Sequence, residues 1–175
     1  MTPTKLYLQG ADVTIRTLQP TDDIEYLTEL LHRAYAVLAA MGFRYHATHQ
    51  DSSVTRERLN GNLSFIAECN GLLVGTVTLY NKSHDDHCHW YTQHGVWHFG
   101  QFGIEPNVQR SGLGNAMMTY IEHHAKQLGA HELACDTAEG AEHLIRWYNK
   151  RGYRFVQHVQ WGITNYRSVV LSKAL

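Results

Sequence analysis

Residues 104–129 read IEPNVQRSGLGNAMMTYIEHHAKQLG. A proline and an arginine lead into Gly112 and Gly114, one residue apart. Leu113, Ala116, Met117, Tyr120, Ile121, His124, Ala125 and Leu128 then repeat at helical spacing up to a stop at Gly129. The first N–H groups of a helix have no intrahelical acceptor and carry partial positive charge, so bare backbone just ahead of one suits an anion. Gly112 and Gly114 predict close approach without a Cβ, Arg110 adds a full charge, and Gln109 and Asn115 add side-chain donors. On G-x-G by itself, a tight strand-to-helix connection with nothing bound fits equally well. A P-loop needs Gly-Lys-Ser/Thr where this chain has Gly114-Asn115-Ala116. A dinucleotide turn needs a third glycine where Met117 stands, and it follows the first strand of its unit rather than the fourth.

Working outward, Val13 to Leu18 alternates as a short strand, and Thr21 or Asp22 is placed to cap a helix whose stripe is Ile24, Leu27, Leu31, Ala34 and Leu38. VTRERL at 54–59 predicts a short second helix. Residues 63–80 read as two strands joined by Asn70-Gly71, a dipeptide that tolerates the positive φ of a type I′ hairpin. The stretch 95–104 is strand-like, with Gly100 and Gly103 predicting a bulge or a close backbone approach. HELACDT, a helix from Ala141 to Tyr148 ended by Gly152, and two closing strands complete the chain. The order β-α-α-β-β-β-α-β-α-β-β predicts an α/β fold of the α+β kind, a mixed sheet with helices on its faces, in one domain over residues 1–175.

Composition narrows the partners. With a formal net charge of −1 and interspersed signs, no broad basic face for nucleic acid or anionic membrane is expected. The absence of any long apolar run or leader-like start predicts a cytoplasmic protein. Cys69, Cys88 and Cys135 are odd in number and irregularly spaced, which predicts buried thiols in a reducing compartment. Five of thirteen histidines fall between His84 and His98. His84, Asp85, Asp86, His87, Cys88 and His89 are ligand types suited to zinc, but contiguous loop residues rarely give tetrahedral geometry, so no metal is expected. A polar loop over an acceptor slot is the simpler reading, with Tyr45, His46, Trp90 and Tyr91 as acceptor contacts.

Gln109-Arg110-Ser111-Gly112-Leu113-Gly114 resembles the acetyl-CoA-binding pattern Q/R-x-x-G-x-G/A of the GNAT N-acetyltransferases, with Pro106 upstream where that family often has proline. Trp147-Tyr148 and Gly152-Tyr153 resemble the family's second signature, and the element order extends the likeness over nearly the whole chain. The resemblance implies the GNAT acyl-CoA N-acyltransferase fold and an acetyl-CoA-dependent N-acetyltransferase, acting on a primary amine of a small molecule or peptide. It also implies that backbone from Gln109 to Gly114, helped by Asn115, seats the pyrophosphate. The pantetheine arm would run along Phe102, Gly103 and Ile104, with Gly103 bare so as not to obstruct it. Two strands splay in that family to admit the thioester, and Tyr148 aligns with its usual tyrosine acid. His98 falls where some relatives carry a catalytic glutamate, which leaves the base open between His98 and a water relay. Ala141 replaces a cofactor-binding asparagine of many relatives, so Thr137 or water is expected to substitute. Glu105 is expected to be solvated. A homodimer is a common state among relatives. A non-catalytic acyl-CoA sensor on the same fold is the competing function.

Overall fold

The computed structural model describes residues 3–8, 10–81 and 87–175. Its elements are β1 (Thr4–Leu8), β2 (Ala11–Thr17), α1 (Ile24–Ala40), α2 (Ser52–Leu59), β3 (Leu63–Cys69), β4 (Leu72–Tyr80), β5 (Val96–Ile104), α3 (Leu113–Gln127), β6 (Glu132–Ala138), α4 (Glu142–Lys150), β7 (Arg154–Val159) and β8 (Ser168–Ala174). The strands form one mixed sheet ordered β1-β2-β3-β4-β5-β6-β8-β7, in which only the β5–β6 pair is parallel. The expected order holds with one addition. β1 pairs antiparallel with β2, Leu6 opposite Val13, so that Leu6 and Leu8 pack on the core while Lys5 and Tyr7 face outward. Its alternation covers five residues, too short to stand out before its partner is known.

Local chemistry explains most boundaries. Asp23, rather than Thr21 or Asp22, caps α1 by accepting from the Tyr26 amide at 3.0 Å. Asp22 is instead held by Arg16 through two bonds of 2.8 Å. Asn70 and Gly71 have φ of 51° and 79°, as the hairpin between β3 and β4 requires.

In β5, Gln101 has φ of 49° and the pairing with β4 slips between Gly100 and Gly103, so a bulge sits there. The extra residue puts Phe99 and Phe102 on one face, their rings 6.2 Å apart, toward α3 and α4. Gly100, Gln101 and Gly103 face α1 and α2. The main core lies between the sheet and α3, built from Phe65, Val77, Leu79, Met117, Ile121 and Leu133, all of them buried.

Candidate active site

The turn ahead of α3 is built as an amide cradle. Arg110 and Gly112 both adopt positive φ, 63° and 95°, which turns successive N–H groups toward the helix start. Among the described residues, no acceptor meets the amides of Gly112, Gly114 or Asn115. A Cβ at Gly112 would meet nothing within 4 Å, so protein atoms leave that space open. Leu113 contributes differently from the expectation: its side chain is core, and its amide is taken by Ser111 Oγ at 3.2 Å. Gln109 folds back, donating from Nε2 to the Ile104 carbonyl at 3.0 Å. Asn115 Oδ1 accepts from Arg151 at 3.1 Å. Gly114 lies against Phe102 and Trp147, where a Cβ would be at ordinary contact distance from both rings.

Two expectations near the turn change. Gly103 is bare for α1: a Cβ there would approach Ala34 and Leu31 to 3.2 Å, so its missing side chain serves helix packing and only its backbone is left for a ligand. Glu105 is not solvated. It is 8% exposed and chelated by the Arg33 guanidinium of α1, which compensates the negative charge that would otherwise oppose an anion at the turn.

Beside the turn the sheet opens. β5 and β6 pair only at Val96–Glu132, Trp97–Leu133 and His98–Ala134, whereas β6 continues with β8 as far as Ala138. Residues 99–104 therefore have one edge without a β6 partner. Tyr148 on α4 is buried next to this opening, with Phe99 at 6.0 Å and Tyr153 at 5.6 Å between ring centres. Burial raises its phenol well above the ordinary range, so it stays protonated at neutral pH, beside the Cys135 thiol.

On the α1–α2 side of the sheet lies a cavity of about 340 Å³, lined by Tyr45, His46, Tyr91 and His98 among others. The imidazole of His98 is stacked between Tyr91, at 4.2 Å and 8°, and Tyr80, at 4.9 Å and 17°. Its Nδ1 has no partner, and burial lowers its pKa to about 4, so it is neutral at physiological pH. Tyr45 is fixed by Thr137: their hydroxyls lie 2.7 Å apart, and the Tyr45 oxygen also accepts from the Ala138 amide. The Thr137 hydroxyl is thereby engaged within the protein. Trp90 is not brought to the cavity. Its ring packs with Cys88, Val96 and Val159 under the Arg154 guanidinium, and Trp161 from the β7–β8 connection supplies the wall instead.

Most of the cavity lining escaped the sequence reading, and four of its polar residues matter here: Arg58 on α2, Tyr80 at the end of β4, Gln101 in the β5 bulge and Asp136 on β6. Asp136 accepts from Tyr91 Oη at 3.1 Å and from Trp161 Nε1 at 2.9 Å. No local motif surrounds any of them, and only the sheet order brings positions 58, 80 and 136 together. Of the histidine-rich loop, His84, Asp85 and Asp86 lie outside the described residues. Among the described residues no cluster of three or more His, Cys, Asp or Glu could hold a metal ion, and no helix is long and apolar enough to cross a membrane.

Comparison with known proteins agrees with this geometry. Residues 24–153 match the acetyltransferase (GNAT) family. The chain is 27% identical over 136 residues to the S-(2-succino)cysteine N-acetyltransferase of Bacillus subtilis (strain 168), covering 75% of this chain and 78% of that one. Its fold is similar to the GNAT domain of S. lividans PAT, with a TM-score of 0.74 at 16% identity over 99% of this chain and 97% of that one. It is also similar to a GNAT family acetyltransferase from Elizabethkingia anophelis with acetyl-CoA bound, with a TM-score of 0.66 at 16% identity over 93% and 98% of the two chains. The chain belongs to the GNAT acetyltransferase family and is an N-acetyltransferase.

Proposed function

We propose that the protein transfers an acetyl group from acetyl-CoA directly to a primary amine of a small molecule. The observation that carries this reading is the adjacency of two features: main-chain donors without acceptors at Gly112, Gly114 and Asn115, and the edge of β5 left open past His98. The first suits a diphosphate, the second an extended arm that adds to the strand. Acetyl-CoA supplies the acetyl group already activated as a thioester.

The chain's own residues do the rest. The amides of Gly112, Gly114 and Asn115, with the exposed Arg110 side chain on the same turn, hold the pyrophosphate. Backbone of Phe102, Gly103 and Ile104 aligns the arm. The bulge takes Gln101 and Phe102 out of register with β4, which frees main-chain donors to polarise the acetyl carbonyl. As the amine nitrogen bonds to the carbonyl carbon and the C–S bond breaks, Tyr148 gives its proton to the sulfur. The proton lost by the amine leaves through water in the cavity. His98 accepts a hydrogen bond from that water as neutral imidazole, since a pKa of about 4 makes it a weak resting base. The Bacillus subtilis relative, named for acetylating a cysteine derivative, supports a small acceptor.

The test is thiol release from acetyl-CoA across amines, amino acids, polyamines and peptides, with calorimetric CoA binding in parallel. Binding with turnover on a small amine supports the proposal. Binding without turnover on any acceptor, unchanged by Tyr148→Phe, would fit a sensor instead.

A further inference from the structure

Besides His98 Nδ1, two further buried polar groups of the acceptor cavity have no hydrogen-bond partner. Gln101 is 2% exposed; its carbonyl oxygen accepts from Gln50 at 2.9 Å, and its Nε2 has no partner. The Tyr80 hydroxyl is likewise buried without a partner: Arg58, Gln101 and Thr78 all stand beside it, yet none reaches hydrogen-bonding geometry. Arg58 spends Nη1 on Gln50 Oε1 at 2.6 Å and forms no ion pair among the described residues. Its Nη2 and the Tyr80 hydroxyl flank a single point above Gly100, where a Cβ would lie 3.5 Å from the first and 3.8 Å from the second. A Cβ there would also press on Tyr80 Cε2 at 3.3 Å, so the bare glycine keeps the space between the two donors clear. Buried donors in native proteins find acceptors, and a half-buried arginine with no carboxylate bonded to it, in a cavity of about 340 Å³, suits an anion of molecular size.

We propose that Arg58, Tyr80 and Gln101 form a carboxylate seat, and that the acceptor is a small amine carrying a carboxylate, an amino acid rather than a polyamine. A carboxylate presents two oxygens with about four acceptor positions and no donor, which matches a guanidinium, a phenol and an amide NH₂ converging from three elements. Asp136 completes the recognition. It lies across β5 from Tyr80, next to the parted strands, and with two donors already bound it has acceptor capacity left for an ammonium group. The seat thus points the acceptor's amine toward the opening where acetyl transfer is proposed. This inference rests on that transfer reading.

The experiment assays the full chain with S-methylcysteine, phenylalanine and leucine, each alongside its primary amide and its decarboxylated amine, by thiol release from acetyl-CoA. The acid of the preferred series should exceed its amide and amine by roughly 10- to 100-fold in kcat/KM, as expected when a site built for a charged partner loses it. Arg58→Met should collapse that acid-to-amide ratio, mainly through KM. Because Arg58 also braces Gln50, Tyr80→Phe provides a second variant that keeps the ring stacked on His98, and it should reduce the ratio by about 5- to 10-fold. Equal rates on acid, amide and amine, or a ratio unmoved in both variants, would show that the seat holds only solvent and overturn the proposal. Calorimetric CoA binding with no thiol release on any of the nine compounds would count against the transfer reading itself, a result distinct from equal rates.

Discussion

The Arg33 guanidinium on α1 chelates the Glu105 carboxylate at the end of β5, one residue before the proline that opens the turn ahead of α3. Glu105 also donates its amide to the Val74 carbonyl at 2.9 Å, so the end of β5 is fixed both through its backbone and through α1. Glu105→Gln keeps the shape and removes the charge, and it should destabilise the fold by about 1–3 kcal/mol in urea unfolding, because the arginine loses a partner that is itself buried. CoA affinity should fall with it, since the turn follows directly. Undiminished stability would mean that the pair is only incidental.

Gly112 can be probed by two substitutions that separate strain from crowding. Its φ of 95° disfavours any Cβ, while the surrounding protein leaves one room. Gly112→Ala should therefore cost about 1 kcal/mol of stability. Gly112→Val should add a loss of CoA affinity of at least tenfold by calorimetry, because the extra methyls enter the space assigned to the pyrophosphate. Equal affinity in the two variants would place the diphosphate elsewhere.

Tyr148→Phe should lower kcat by about 10²-fold, in the usual range for a general acid, with CoA affinity within twofold of wild type. The ring contacts with Phe99 and Tyr153 survive the substitution, so a change in folding is not expected. A kcat close to wild type would remove Tyr148 as the acid.

The pH dependence of stability should carry the signature of His98. Unfolded, its imidazole takes up a proton near pH 6.5; folded, burial delays this to about 4. Above 6.5 both states are neutral at this site. As pH falls from 6.5 to 4 the unfolded state binds the extra proton, so stability is lost across that window and the loss levels off below it. Half-buried as it is, His98 should account for on the order of 2 kcal/mol. His46, also lowered by burial, acts in the same direction. His98→Phe, which keeps a ring between Tyr80 and Tyr91, should flatten thermal melts between pH 6.5 and 4.5; an unchanged slope would assign the effect to other groups.

Several features could be read from sequence because their physics is local. Asn70-Gly71 announced a hairpin through its tolerance of positive φ, and both residues adopt it. Gly112, ahead of a periodic helix, announced bare backbone, and the unmet amides are there. The stripe Ala141, Leu144, Ile145 and Tyr148 predicted α4, with Ala141 now its capping residue. Glu105 was misjudged for the opposite reason. Nothing near position 105 reveals that Arg33, distant in the chain, is folded against it. Trp90 looked like an acceptor contact by proximity to Tyr91, but consecutive residues of a short turn point different ways, and only Tyr91 faces the cavity.

Taken alone, the order of residues determined which segments are helix or strand, where the bare-backbone turn ahead of α3 lies, and the family, because periodicity, capping and glycine spacing act over a few neighbouring positions. Tertiary structure decided which side chains share the cavity, why Gly103 is bare, how His98 comes to be neutral between two tyrosines, and where Arg58, Tyr80, Gln101 and Asp136 meet. Those outcomes depend on strand order and on the bulge in β5, and each is set by contacts between residues far apart in the chain, whose partners no local pattern encodes.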